Sequence, residues 1–88
     1  MANHKSALKR ARQSENRRLR NRGYKTRVKK AVKDVRAAVA ENAPEQAGEN
    51  LKAAVSILQK TATKGVIKQR TASRKISRLT RQVHRISS

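Results

Sequence analysis

Cysteine is absent from the 88-residue chain, so it can build neither a disulfide framework nor a thiolate metal site, as suits a reducing compartment. Phenylalanine and tryptophan are absent too, and Tyr24 is the one aromatic residue. Without a set of aromatic rings there is no stacking platform for unpaired bases, which excludes single-strand readers built on a sheet or a small barrel. Acids are scarce: five Asp and Glu stand against 24 Lys and Arg, a net charge of +19. Such like-charged residues repel one another in a compact state unless a polyanion neutralises them, and nucleic acid phosphate is the natural candidate. Apolar runs are short, none approaching the roughly twenty residues of a membrane span. The opening, MANHKSALKR, lacks the apolar region of a secretory signal, although a basic, acid-poor start also matches the composition of a mitochondrial transit peptide.

What the chain does have is arginine and lysine, unevenly placed. Residues 5–30 hold twelve basic residues and one acid, Glu15. Residues 1–40 carry fourteen basic residues against two acids, and residues 64–88 carry eight against none. Between them, residues 41–63 carry Glu41, Glu45 and Glu49 against Lys52 and Lys60. The middle of the chain is therefore expected to face away from the polyanion.

Hydrophobic spacing predicts three helices. Apolar residues at 28, 31, 32, 35, 38 and 39 make one helical face. The basic stretch before them contains good helix formers and only Gly23 as a weak point, so one helix is expected over about 5–41. Asn42, Ala43 and Pro44 end it, and Pro44 suits the first position of a second helix over about 44–64. Ala47, Leu51, Ala54, Val55, Leu58 and Ala62 form its seam, Gly48 weakens it, and Gly65 fits a left-handed cap with Val66 packing back. A third helix over about 68–86 carries the seam Ala72, Ile76, Leu79, Val83 and Ile86. The fold class is all-α: an up-down-up three-helix bundle in a single domain over residues 1–88.

Length adds a further expectation. At about 1.5 Å per residue the first helix is roughly 55 Å long and the others roughly 30 Å. Running back from Pro44, the second helix covers only about residues 22–41 of the first. The N-terminal half must project, and it is the half with only Leu8, Leu19 and Tyr24 as sizeable apolar residues. The alternatives for this run are a solvated tail or an arm that orders on its target.

Nothing in the chain gathers the groups an enzyme needs. His4, His84, Glu15 and Asp34 have no spacing that brings them together, the two histidines lie at opposite ends, and no phosphate-binding glycine motif occurs. No catalysis, metal, cofactor or small-molecule substrate is expected. A zipper-type DNA binder fails because its heptads stop at Asn42 and Pro44. A membrane-surface helix fails for want of a wide apolar face. A DNA-compacting or architectural protein stays open, as does a helical adaptor for an acidic protein.

Two spaced motifs carry a resemblance. Ala2-Asn3, Lys5-Ser6-Ala7, Lys9-Arg10, Arg12-Gln13, Glu15, Arg17-Arg18 and Arg20-Asn21 resemble the opening of bacterial small-subunit ribosomal protein number twenty. Lys64-Gly65-Val66-Ile67, Ala72, Arg74-Lys75 and Ser77-Arg78-Leu79 are similar to the second signature of that family. The match spans essentially the whole chain, the middle helix being similar only in pattern. Lys68 and Arg70 stand where the family usually shows His then Asn, which adds charge. The resemblance implies a cytoplasmic ribosomal protein that binds small-subunit ribosomal RNA directly, with neighbouring ribosomal proteins as possible further partners, and supports assembly of the subunit. On this basis Lys5, Lys9, Arg10, Arg12, Arg17, Arg18, Arg20 and Arg22 are expected to clamp RNA phosphates. Lys64, Lys68, Arg70, Arg74, Lys75 and Arg78 are expected to form a second contact line.

Overall fold

The computed structural model describes residues 2–87, with side chains described from position 5 onward; the side chains of Ala2, Asn3 and His4, drawn on above, lie outside the described residues. Three helices follow in order, α1 (Ala2–Ala40), α2 (Pro44–Thr63) and α3 (Gln69–Ser87), with no strand among the described residues. The architecture is an up-down-up bundle with a long first helix extending beyond it. Each observed boundary lies within one residue of expectation, except that α1 starts at Ala2, three residues earlier.

The two reversals are built alike. Asn42, at φ 56°, ends α1 in the left-handed region, where a short polar side chain tolerates a conformation most residues avoid. Its N–H donates to the Val39 carbonyl at 3.0 Å, and the Ala43 N–H donates to Ala38 at 3.0 Å. Gly65, at φ 76°, repeats the arrangement for α2: its N–H donates to Ala62 at 3.0 Å, and the Val66 N–H donates to Thr61 at 3.1 Å. Both are Schellman motifs, satisfying carbonyls that a helix end otherwise leaves orphaned. Glu41 and Lys64, expected from sequence to be the last residues of their helices, are thereby cap residues one step beyond the observed ends. Pro44 opens α2 at N1, and Glu45 lies in its first turn near the positive end of the helix dipole.

The core is small and aliphatic. Its buried hydrophobic residues are Val28, Val32, Val35 and Ala38 of α1, Ala47, Ala54, Leu58 and Ala62 of α2, and Ala72, Leu79 and Val83 of α3. Leu51, Ile57, Ile67, Ile76 and Ile86 pack at its edge. Thr61 is also fully buried; its hydroxyl donates to the Ile57 carbonyl at 2.6 Å, so its methyl can join the core without leaving a donor unpaired. Asn50 ties α2 to α1 by donating from Nδ2 to the Asp34 carbonyl at 3.2 Å.

That bond sets the level at which the bundle ends. Two antiparallel helices rise equally, so thirteen residues on from Asn50, the end of α2 at Thr63 lies opposite residue 21 of α1. Burial agrees: Asn21 and Tyr24 are half-buried, while every residue from 5 to 20 is exposed. The molecule extends 67 Å along its long axis, and its radius of gyration is 17.7 Å, against about 12 Å for a compact domain of this length. An arm without a core of its own accounts for the difference.

Candidate nucleic-acid interface

Residues 5–20 form a helix because nothing interrupts them, and they stay exposed because their apolar residues never align into a stripe facing the bundle. All eight arm cations assigned from sequence, including Arg22 at the root, are exposed. Their distribution about the axis of α1 follows from about 100° per residue. Measured from the core direction of Val28, Arg10 and Arg17 fall in the quarter facing the core side, Arg18 and Arg22 in the next, Arg12 and Lys5 opposite, and Lys9 and Arg20 in the last. Each quarter of the circumference therefore carries two cations. Arg18 alone among them is engaged with a carboxylate of the described residues: Nη2 donates to Glu15 Oε1 at 2.7 Å and Nε donates to Oε2 at 3.2 Å.

At the arm's root a groove is lined by Arg18, Asn21, Arg22, Lys25, Thr26 and Lys29. Four of these are cations, and Asn21 Oδ1 is buried beside them with no hydrogen-bond partner among the described residues. A buried acceptor without a donor is costly, and the groove's four cations lie around it. The Arg27 guanidinium carbon lies 5.6 Å from the centroid of the Tyr24 ring, a cation–π contact that steadies both side chains where the arm meets the bundle.

The six cations assigned to the second line are likewise exposed, but they do not share one face. Lys64 and Lys68 lie in the α2–α3 turn, and Arg70, Arg74 and Arg78 lie on the outward side of α3. Lys75 turns instead toward α1, where it lines a second groove with Val28, Lys29, Val32, Lys33 and Arg36. This groove sets Lys75 of the second line beside Lys29, Lys33 and Arg36 of α1. Lys29, Lys33 and Arg36 were not assigned to either contact line from sequence; the approach of Lys75 from α3 brings them together in one groove, whereas Lys25 lines the groove at the arm's root. Arg81, not assigned from sequence, returns to the same side of α3 seven residues on from Arg74.

Whereas Glu15 is bonded to Arg18 on the arm, Asp34, Glu41 and Glu45 lie away from this surface. Asp34 and Glu41 line a hollow with Gln46 and Asn50, and Glu45 lies beside it at the start of α2, at the end of the bundle remote from the arm. Among the described residues no three His, Asp or Glu gather to hold a metal ion, and no helix is long and apolar enough to cross a membrane.

Comparison with known proteins converges on one family. The family model described as ribosomal protein S20 matches residues 2–84. Small ribosomal subunit protein bS20 of Syntrophobacter fumaroxidans is 56% identical over 84 residues, covering 96% of this chain and 98% of that protein. The protein of the same name from Nitratidesulfovibrio vulgaris strain DP4 is 52% identical over 87 residues, covering 99% and 100%. That of Helicobacter pylori strain Shi470 is 54% identical over 87 residues, covering 99% and 98%. With a projecting cationic helix, a three-helix core and matches along nearly its whole length, the chain belongs to the ribosomal protein S20 family.

Proposed function

We propose that the chain is a structural protein of the small ribosomal subunit, acting in the cytoplasm within the ribosome. It binds the subunit's ribosomal RNA directly, through phosphate and shape contacts, and supports assembly and stability of the particle. It performs no chemistry. Lys5, Lys9, Arg10, Arg12, Arg17, Arg18, Arg20 and Arg22 hold phosphates along the arm; Lys64, Lys68, Arg70, Arg74, Lys75 and Arg78 hold a second set at the bundle.

The observation that carries this reading is the presence of two arm cations in each quarter of the circumference of α1. A helix laid on one surface needs charge on one face. A helix charged on all sides and lacking a stripe to bury is suited to phosphates on several sides, as in a folded RNA whose strands pass around it. The bundle then fixes the angle between the arm and the α3 contacts, and its acidic end is left to solvent or to neighbouring ribosomal proteins.

Salt dependence of binding tests it. With about eight phosphates neutralised, log affinity for a folded small-subunit RNA fragment should fall with log salt at a slope of about −6 to −7. A slope shallower than about −3 contradicts the clamp. Competition by duplex DNA in the same titration separates this function from general DNA compaction, because a shape-specific RNA binder keeps its preference as salt rises.

A further inference from the structure

Glu15 is out of place in a phosphate-binding arm. It is the one acid before Asp34, and a carboxylate repels phosphates within about a Debye length, roughly 8 Å at physiological salt. Its exposed pairing with Arg18 adds little to helix stability, so the pair alone gives no reason for the charge. Leu8 and Leu19 are out of place as well. They are the exposed large hydrophobic residues among those described, at 54% and 53% of full exposure.

The three anomalies share one line. At about 100° per residue, Leu8, Glu15 and Leu19 fall within about 40° of one another about the axis of α1, on the side opposite the core. The two leucines are about 16 Å apart along it. Cations flank this strip on both sides: Lys5 and Arg12 on one edge, Arg22 and then Arg18 on the other. The result is an apolar strip with a hydrogen-bond acceptor at its middle and positive charge along both borders.

We propose that this face seats in the minor groove of an A-form RNA helix, a proposal that rests on the RNA-binding reading above. That groove is wide and shallow, displays ribose 2′-hydroxyls and base edges on its floor, and is bounded by a phosphate backbone on each side. The pattern is complementary. Leu8 and Leu19 pack on riboses, and the flanking cations take the two backbones. The Glu15 carboxylate accepts hydrogen bonds from 2′-hydroxyls or a guanine amino group, held in place by the bidentate bond from Arg18. The cations on the other sides of the arm remain for phosphates of other strands.

The sign of one substitution decides it. Glu15→Lys raises by two the net charge of a protein that binds a polyanion, removing one negative charge and adding one positive, so phosphate attraction alone makes it bind folded small-subunit RNA more tightly. Loss of a charge-assisted acceptor from the groove floor makes it bind about tenfold more weakly. The full-length variant is compared with Glu15→Gln, which keeps an acceptor and should stay within about threefold of the parent. Circular dichroism checks that each keeps its helicity, as expected for an exposed side chain that touches only Arg18. A Leu8→Ala, Leu19→Ala double variant should also weaken binding. Replacing the 2′-hydroxyls of the duplex segment with hydrogen should remove the difference between Glu15 and its lysine variant. Tighter binding by Glu15→Lys overturns the groove assignment while leaving the RNA-binding function intact, whereas failure of the parent protein to bind overturns both. If the leucine variant keeps full RNA affinity but loses retention in assembled subunits, the strip contacts a protein and the proposal is wrong.

Discussion

At the scale of single residues, the three glycines divide by backbone conformation rather than by crowding. A Cβ built on any of them meets nothing within 4 Å, but only Gly65 has a positive φ, 76°. Gly23 and Gly48 occupy ordinary helical positions, where glycine costs about 0.5–1 kcal/mol relative to alanine. Gly48→Ala should therefore raise stability by about that amount in urea unfolding, while Gly65→Ala should lower it by about 1 kcal/mol or more. Equal and same-signed effects would contradict the capping geometry at Gly65. Gly65 was legible in the sequence because glycine after a seam commonly marks such a cap. Asn42 was not: it was read as part of a break, whereas its left-handed conformation makes it the specific terminator of α1. Thr61 was overlooked for a related reason. Its hydroxyl counts as polar in any periodicity, yet bonding within its own helix leaves it free to be buried.

At the scale of elements, the long helix is one secondary structure with two kinds of support. From Asn21 onward it is held by a core in which five of the eleven buried hydrophobic residues are alanine, so the bundle rests on a few larger side chains. Leu58→Ala should cost about 2–5 kcal/mol, a large part of the stability of a domain this size; a loss below about 1 kcal/mol on thermal unfolding would mean the core is organised otherwise. Before Asn21 the helix has no core. Deleting residues 1–20 should preserve the cooperative unfolding of the bundle yet weaken RNA binding by more than about a hundredfold. The projection was legible because helix lengths, apolar spacing and charge density all changed near the same position. The groove between α1 and α3 was not, since it depends on where Lys75 meets α1, and no spacing within one helix reveals a neighbour in another.

At the scale of the molecule, net charge sets two opposing salt responses. Folding brings like charges together, so screening should stabilise the free protein, and its melting temperature should rise between 50 and 500 mM salt, by about 4–8 °C for each kcal/mol gained. RNA affinity should fall steeply over the same range. A melting temperature that drops with salt would show that attractive surface pairs dominate, contrary to the scarcity of acids in the sequence. The exposure of every residue from 5 to 20, outside the bundle's core, has one more consequence. Their side chains are tested by a partner and hardly at all by the rest of the chain, so the arm is transplantable. A chimera carrying the arm of one S20 relative on the bundle of another should fold as either parent does, and its match or mismatch should register only when the subunit is assembled around it.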